Sequence, residues 1–152
     1  MKTQLKDFQA DAVDKLRSRF LRMKANVGEE IGAVLLNAPT GSGKTLIATA
    51  FIEELLARSE TDGSDGDPNF IFLWLTDQPE LNKQTYDKML AHSTVLSTAN
   101  MVIIDANIND ERLTPGHIYF LNTQKLGSNT TYVKHGDGRT WTLWETFRNT
   151  IE

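Results

Sequence analysis

Ala38-Pro39-Thr40-Gly41-Ser42-Gly43-Lys44-Thr45 stands between an apolar run, Ile31 to Asn37, and a stretch of strong helix formers, Thr45 to Arg58. A small residue, four intervening residues and Gly-Lys-Thr between a strand and a helix is the pattern of a phosphate-binding loop. Gly41 and Gly43 let successive N–H groups face the phosphates, and the following helix adds its positive end. Lys44 reaches the terminal phosphates as a mobile point charge, and the Thr45 hydroxyl suits one coordination position of Mg²⁺. The pattern accounts for binding; turnover needs a metal-holding acid, a group that positions water and an arginine besides.

Working outward, Leu5, Phe8, Ala12, Val13, Leu16 and Phe20 recur at three and four, which predicts an amphipathic helix over Leu5 to Phe20. Lys15, Arg17, Arg19, Arg22 and Lys24 suit its C-terminal end, and Asn26 with Gly28 supplies a stop. Ile31 to Asn37 lacks polar alternation and reads as a strand buried on both faces. Ser59 to Asn69 has no apolar period and reads as a surface loop. Phe70 to Leu75 is a second buried strand, followed by a helix from Asp77 as cap, through Pro79, to about His92. Met101 to Ile104 and Ile118 to Leu121 are further strands, joined through a Pro115-Gly116 turn. A turn at His135 to Arg139 precedes a helix with a Thr142/Glu145 capping box and an apolar face of Leu143, Trp144, Phe147 and Ile151. Strands alternating with helices imply an α/β fold with a parallel sheet.

The bulk numbers agree with one core in one domain, since 152 residues with 39% hydrophobic content leave little room for two. A net charge of −4 argues against a protein that coats nucleic acid by overall basicity, and leaves room for a local phosphate track. The absence of cysteine excludes disulfides and thiolate metal sites. The charged N-terminus is no signal peptide, and the longest apolar run, Phe70 to Leu75, is too short for a bilayer. The expectation is a soluble, cytoplasmic protein without membrane contact.

The string APTGSGKT resembles motif I of superfamily 2 helicases of the DEAD/DEAH-box class, and in particular the motor of type I and type III restriction enzymes. Leu5-Lys6-Asp7-Phe8-Gln9 with Ala12-Val13 looks like that family's Q motif, in which a glutamine reads adenine. Thr76, Leu81 and Gln84 are similar to motif Ia, and Leu121-Asn122-Thr123-Gln124-Lys125-Leu126 to motif Ic. The resemblance implies a P-loop NTPase (RecA-like) domain, with ATP and Mg²⁺ as cofactors. Gln9, Pro39, Thr40, Gly41, Ser42, Gly43, Lys44 and Thr45 are then the cofactor-binding residues, Lys44 the catalytic one and Thr45 the metal ligand. Thr76 and Thr123 would touch the nucleic-acid backbone, and the partners implied are DNA, or RNA, and restriction-modification subunits. Taken alone, Gln9 also reads as a solvated helix residue, and each threonine as a helix cap.

The acidic pair that defines the class, Asp-Glu followed one residue on by His or Asp, does not occur in the chain. Asp105 follows an apolar strand but has no second acid and precedes the motif Ic lookalike, so it reads as a strand-end residue. The expected domain is therefore incomplete at its C-terminus, with residues 1–152 as its N-terminal part, weak nucleotide binding and the Leu143–Ile151 face uncovered. A non-hydrolysing ATP-binding module and a P-loop phosphotransferase are the competing functions. His92, His117 and His135 are too scattered for a metal site.

Overall fold

A computed structural model describes residues 1–25, 32–57, 63–126, 135 and 138–152. Their helices and strands run, in order, α1 (Asp7–Ala25), α2 (Lys44–Leu56), β1 (Phe72–Thr76), α3 (Pro79–His92), β2 (Met101–Ile103), β3 (Ile118–Asn122), a 3-10 turn (Thr123–Leu126) and α4 (Leu143–Ile151). They divide into two compact units, Met1–Pro68 with Lys88–Leu96, and Asn69–Asp87 with Ser97–Glu152. The expected helix stop at Asn26 and Gly28, the first residue of the Ile31 strand, the helix end at Arg58, the start of the Ser59–Asn69 loop and the centre of the 135–139 turn lie outside the described residues.

In the first unit α1 packs on α2. The stripe at three and four does its expected work: Val13, Ile47 and Ala50 form a buried cluster, with Leu5, Ala12, Leu16, Leu36 and Phe51 packed against it. Phe20 meets Phe51 edge to face at 5.8 Å. The helix begins at Asp7 rather than Leu5 because the Gln9 side chain reaches back to accept the Lys6 N–H at 3.0 Å, which makes Lys6 the cap.

The segment 32–37 is not the buried strand that its composition suggests. It forms no strand, and Leu35 is 86% exposed while Leu36 packs inward. An extended segment gains its stability from ladder hydrogen bonds, and the sheet order offers this one no neighbour among the described residues.

A buried carboxylate ties this unit together. Glu53 of α2 is 5% exposed, and its Oε1 accepts from the Ser93 hydroxyl (2.6 Å), the Thr94 N–H (2.5 Å) and the Val95 N–H (3.0 Å). Its Oε2 takes no well-aligned hydrogen bond but lies 3.1 Å from the Met1 ammonium, a charge contact. Burial pushes the Glu53 carboxyl up, and the Ser93, Val95 and Thr94 hydrogen bonds with the ammonium pull it down further, leaving it below the ordinary 4.5.

The second unit is a three-stranded parallel sheet in the order β1-β3-β2. Phe72 pairs with Ile118 and Thr76 with Asn122 on one side of β3, and Met101 pairs with Ile118 on the other. All of β3 is buried, which explains why Ile118 to Leu121 reads as unbroken apolar sequence. The α3 start differs by one residue from expectation: with Pro79 in the first turn, the cap position falls on Gln78 rather than Asp77. The α4 capping box is present as read, with Glu145 N–H on Thr142 Oγ1 and Thr142 N–H on Glu145 Oε2.

The α4 face expected to lack cover is covered in half. Leu143 is fully buried with Ile104, Leu113, Tyr119 and Leu121, and Phe147 packs against them, whereas Trp144 and Ile151 are exposed. The Leu113 N–H donates to Thr150 Oγ1 and Asn149 Nδ2 to the Glu111 carbonyl, which fixes the helix over the connection from β2 to β3. Among the described residues no helix is long and apolar enough to cross a membrane.

Two outcomes follow from this packing. Because the folded Glu53 carboxyl titrates below its unfolded value, its stabilisation is complete above about pH 4.5 and is lost as pH falls through the folded value. Urea unfolding of Glu53→Gln should therefore show a loss of about 2 kcal/mol at pH 7 that shrinks in acid; a loss independent of pH would contradict the arrangement. In α4, Leu143→Ala should cost about 3 kcal/mol by the same assay and Ile151→Ala less than about 0.5.

Candidate functional site: the phosphate loop

Two left-handed glycines shape the loop between residue 38 and α2. Gly41 has φ 82° and Gly43 φ 85°, a region that β-carbons disfavour. Between them the Ser42 N–H closes a turn on the Pro39 carbonyl at 3.2 Å. Gly43 is the N-cap of α2 and offers no side chain to its first turn, and the first intrahelical bond is Ile47 N–H to Gly43 carbonyl at 2.9 Å. The N–H groups of Lys44, Thr45 and Leu46 thus have no carbonyl four residues back, and no acid stands in that turn. Donors and helix dipole together favour an anion at this end.

Lys44 folds back over the loop, donating from Nζ to the Ala38 carbonyl (2.8 Å) and the Pro39 carbonyl (3.0 Å). Both acceptors are neutral, so a phosphate oxygen competes for the ammonium with a stronger charge-assisted bond. Ser42 Oγ is buried without a hydrogen-bond partner, a polar atom the loop leaves unsatisfied. Thr45 is partly buried, and its carbonyl accepts the Thr49 hydroxyl at 2.7 Å. A β-carbon on Gly41 would meet nothing within 4 Å, so a phosphate can approach the backbone there. The loop therefore has the donors and the open backbone that suit a phosphate group.

Gln9 is drawn into the loop rather than solvated. It is 6% exposed, and its Nε2 donates to the Ser42 carbonyl at 2.9 Å while Oε1 accepts from Lys6 N–H. The approach is so close that a β-carbon on Gly43 would lie 2.5 Å from Gln9 Nε2. One amide thus joins the start of α1 to the phosphate loop. Sequence reading treats Gln9 as a reader of adenine or as a solvated helix residue; its hold on Ser42, a residue 33 positions away, has no local signal.

In the second unit the structure brings Thr76 and Thr123 together. Thr123 Oγ1 donates to the Thr76 carbonyl at 3.2 Å. The Thr76 hydroxyl lies 2.8 Å from the Gln78 carbonyl and 3.0 Å from Oδ1 of Asn82, a residue that is itself buried. Asn122 Oδ1 accepts the Gln124 N–H at 2.8 Å, so two adjacent strand ends are closed by linked polar turns. Asp105 Oδ1 accepts the Asn107 N–H at 2.8 Å, the turn expected of a strand-end aspartate. Among the described residues no cluster of His, Cys, Asp and Glu could hold a metal ion.

The family model described as type III restriction enzyme, res subunit, matches residues 2–145. The chain belongs to this family. Res-subunit domains are RecA-like P-loop folds, and the parallel sheet with its helices agrees with that architecture. The match assigns the chain to the ATP-binding region of a restriction-enzyme-like helicase. No curated protein and no solved structure matches the chain.

The two glycines separate two physical demands. Gly41→Ala should carry only backbone strain of about 1–3 kcal/mol. Gly43→Ala adds a clash with Gln9 and should be the more destabilising of the pair in urea unfolding. Equal losses would show that the contact between Gln9 and the loop is slack.

Proposed function

We infer that this res-subunit chain binds ATP with Mg²⁺ and serves as the N-terminal part of the ATP-binding domain of a helicase or translocase that moves on DNA, with RNA as the alternative track. The observation that carries the reading is the loop of two left-handed glycines ending in an uncapped helix that begins with Lys44 and Thr45. In it, the first-turn N–H groups of Lys44, Thr45 and Leu46 donate to phosphate oxygens, and Lys44 Nζ leaves the Ala38 and Pro39 carbonyls for the terminal phosphates. The Thr45 hydroxyl would take one coordination position of Mg²⁺, an ion that would supply positive charge beside the phosphates. Pro39 and Thr40 wall the loop, and Ser42 Oγ gains the partner it lacks.

Gln9 retains the capacity to read adenine while holding the loop. Its amide has two donors and two acceptor sites, of which Ser42 and Lys6 each use one. One donor and one acceptor remain, the complement of adenine N7 and N6. Thr76 and Thr123 stand at strand ends, where hydroxyls and turn amides hold backbone phosphates without reading bases. Restriction-modification subunits are the partners this reading implies.

The absent acidic pair supports a second reading, an ATP-binding module without hydrolysis, because Asp105 has no second acid beside it in the sequence and closes its own turn. A P-loop phosphotransferase is disfavoured by Gln9 and by the family match.

Calorimetric titration with Mg·ATP, beside a turnover assay with and without DNA, tests the assignment. Lys44→Ala should weaken binding at least about tenfold, the loss of one charge-assisted contact. Unchanged binding in Lys44→Ala would remove the loop from the nucleotide site, and turnover by residues 1–152 alone would make Asp105 a metal ligand.

A further inference from the structure

The cations of this acidic chain are not spread evenly. Lys15 to Lys24 holds five cations and no acid, in a chain of net charge −4. The structure sorts those five onto two sides of α1. Arg17 and Lys24 turn towards their own unit, pairing with Glu54 at 3.7 Å and Asp67 at 2.8 Å. Lys15, Arg19 and Arg22, at i, i+4 and i+7, share the opposite face, and all are exposed. Arg19 and Arg22 have no acidic partner among the described residues, and Lys15 meets only Asp11 in an exposed pair at 2.7 Å, which holds it weakly.

Phe8 lies on the same face, one turn before Asp11, and is 53% exposed. The helical rise places Phe8 about 20 Å from Arg22, with the three cations over the last 10 Å or so. The platform is rigid, since the inner face of α1 is locked by Val13, the Phe20–Phe51 contact and the Gln9 bridge.

We propose that this outer face of α1, formed by Phe8, Lys15, Arg19 and Arg22, is a docking surface for single-stranded DNA. A track of cations following a backbone, with an exposed aromatic ring on which a base can stack, is the combination that single strands require. A duplex would use the cations but leave Phe8 without a role, because its bases are already stacked. An acidic protein segment would likewise meet the charges and not the ring. The surface shares no residue with Thr76 and Thr123, so it does not rest on their assignment, and it requires no nucleotide.

Fluorescence anisotropy with a labelled oligothymidylate, titrated into the full chain across a salt series, tests this surface. Arg19→Glu with Arg22→Glu should lower the slope of log affinity against log salt by about 1.4, which corresponds to about 25-fold weaker binding at 0.1 M salt. Arg112→Glu, a reversal at an exposed cation elsewhere, should change affinity less than about twofold. Phe8→Ala should weaken the oligothymidylate about fivefold or more and leave a duplex of equal length unchanged. The substituted side chains are exposed, and circular dichroism verifies that each variant keeps its fold. The proposal is overturned if the double reversal binds as wild type does, or if the duplex or a polyglutamate peptide binds at least as tightly as the single strand.

Discussion

One amide group sets the geometry of the phosphate loop. Gln9 accepts the Lys6 N–H and donates to the Ser42 carbonyl, so the beginning of α1 and the crown of the phosphate loop share a single rigid side chain. That approach is possible only because Gly43 has no β-carbon, and Gly43 can occupy its left-handed conformation for the same reason. The glycine leaves the first turn of α2 without a side-chain cap, and the donors so left over are what a phosphate needs. Binding capacity here comes from what the loop withholds from itself.

The far end of α2 is governed by the opposite rule. Glu53 is buried and ionised because hydroxyl and backbone donors from Ser93, Thr94 and Val95 converge on one of its oxygens. A carboxylate taken from water without such donors would be strongly destabilising. With them it attaches α2 to the segment that follows α3. One helix thus leaves backbone donors unpaired at its start, while near its end a buried carboxylate gathers donors of its own unit on one oxygen and a charge contact on the other.

The parallel sheet has its own logic. Its central strand, β3, is buried throughout, and the two strand ends at Thr76 and Asn122 are closed by short polar turns. Those turns satisfy the polar groups that parallel strands leave where the ladder stops. The nucleic-acid backbone proposed at Thr76 and Thr123 would have to exchange some of these internal bonds for phosphate contacts.

The four helices, three of the four expected strands and their parallel order, the phosphate loop, the α4 capping box and the family resemblance were legible in the residues, because each rests on a local rule of periodicity, capping or turn chemistry. Membership of the res-subunit family was legible for the same reason, through short motifs in sequence order. Segment 32–37 was misread, since composition reports burial preference while a strand requires a partner. The inward turn of Leu143, the 33-residue reach of Gln9 to Ser42 and the 40-residue reach of Ser93 to Glu53 were decided by tertiary structure alone. Sequence by itself determined which groups were available; which of them met was settled by packing, because hydrogen bonds and burial act between residues that are near in space and carry no signature along the chain.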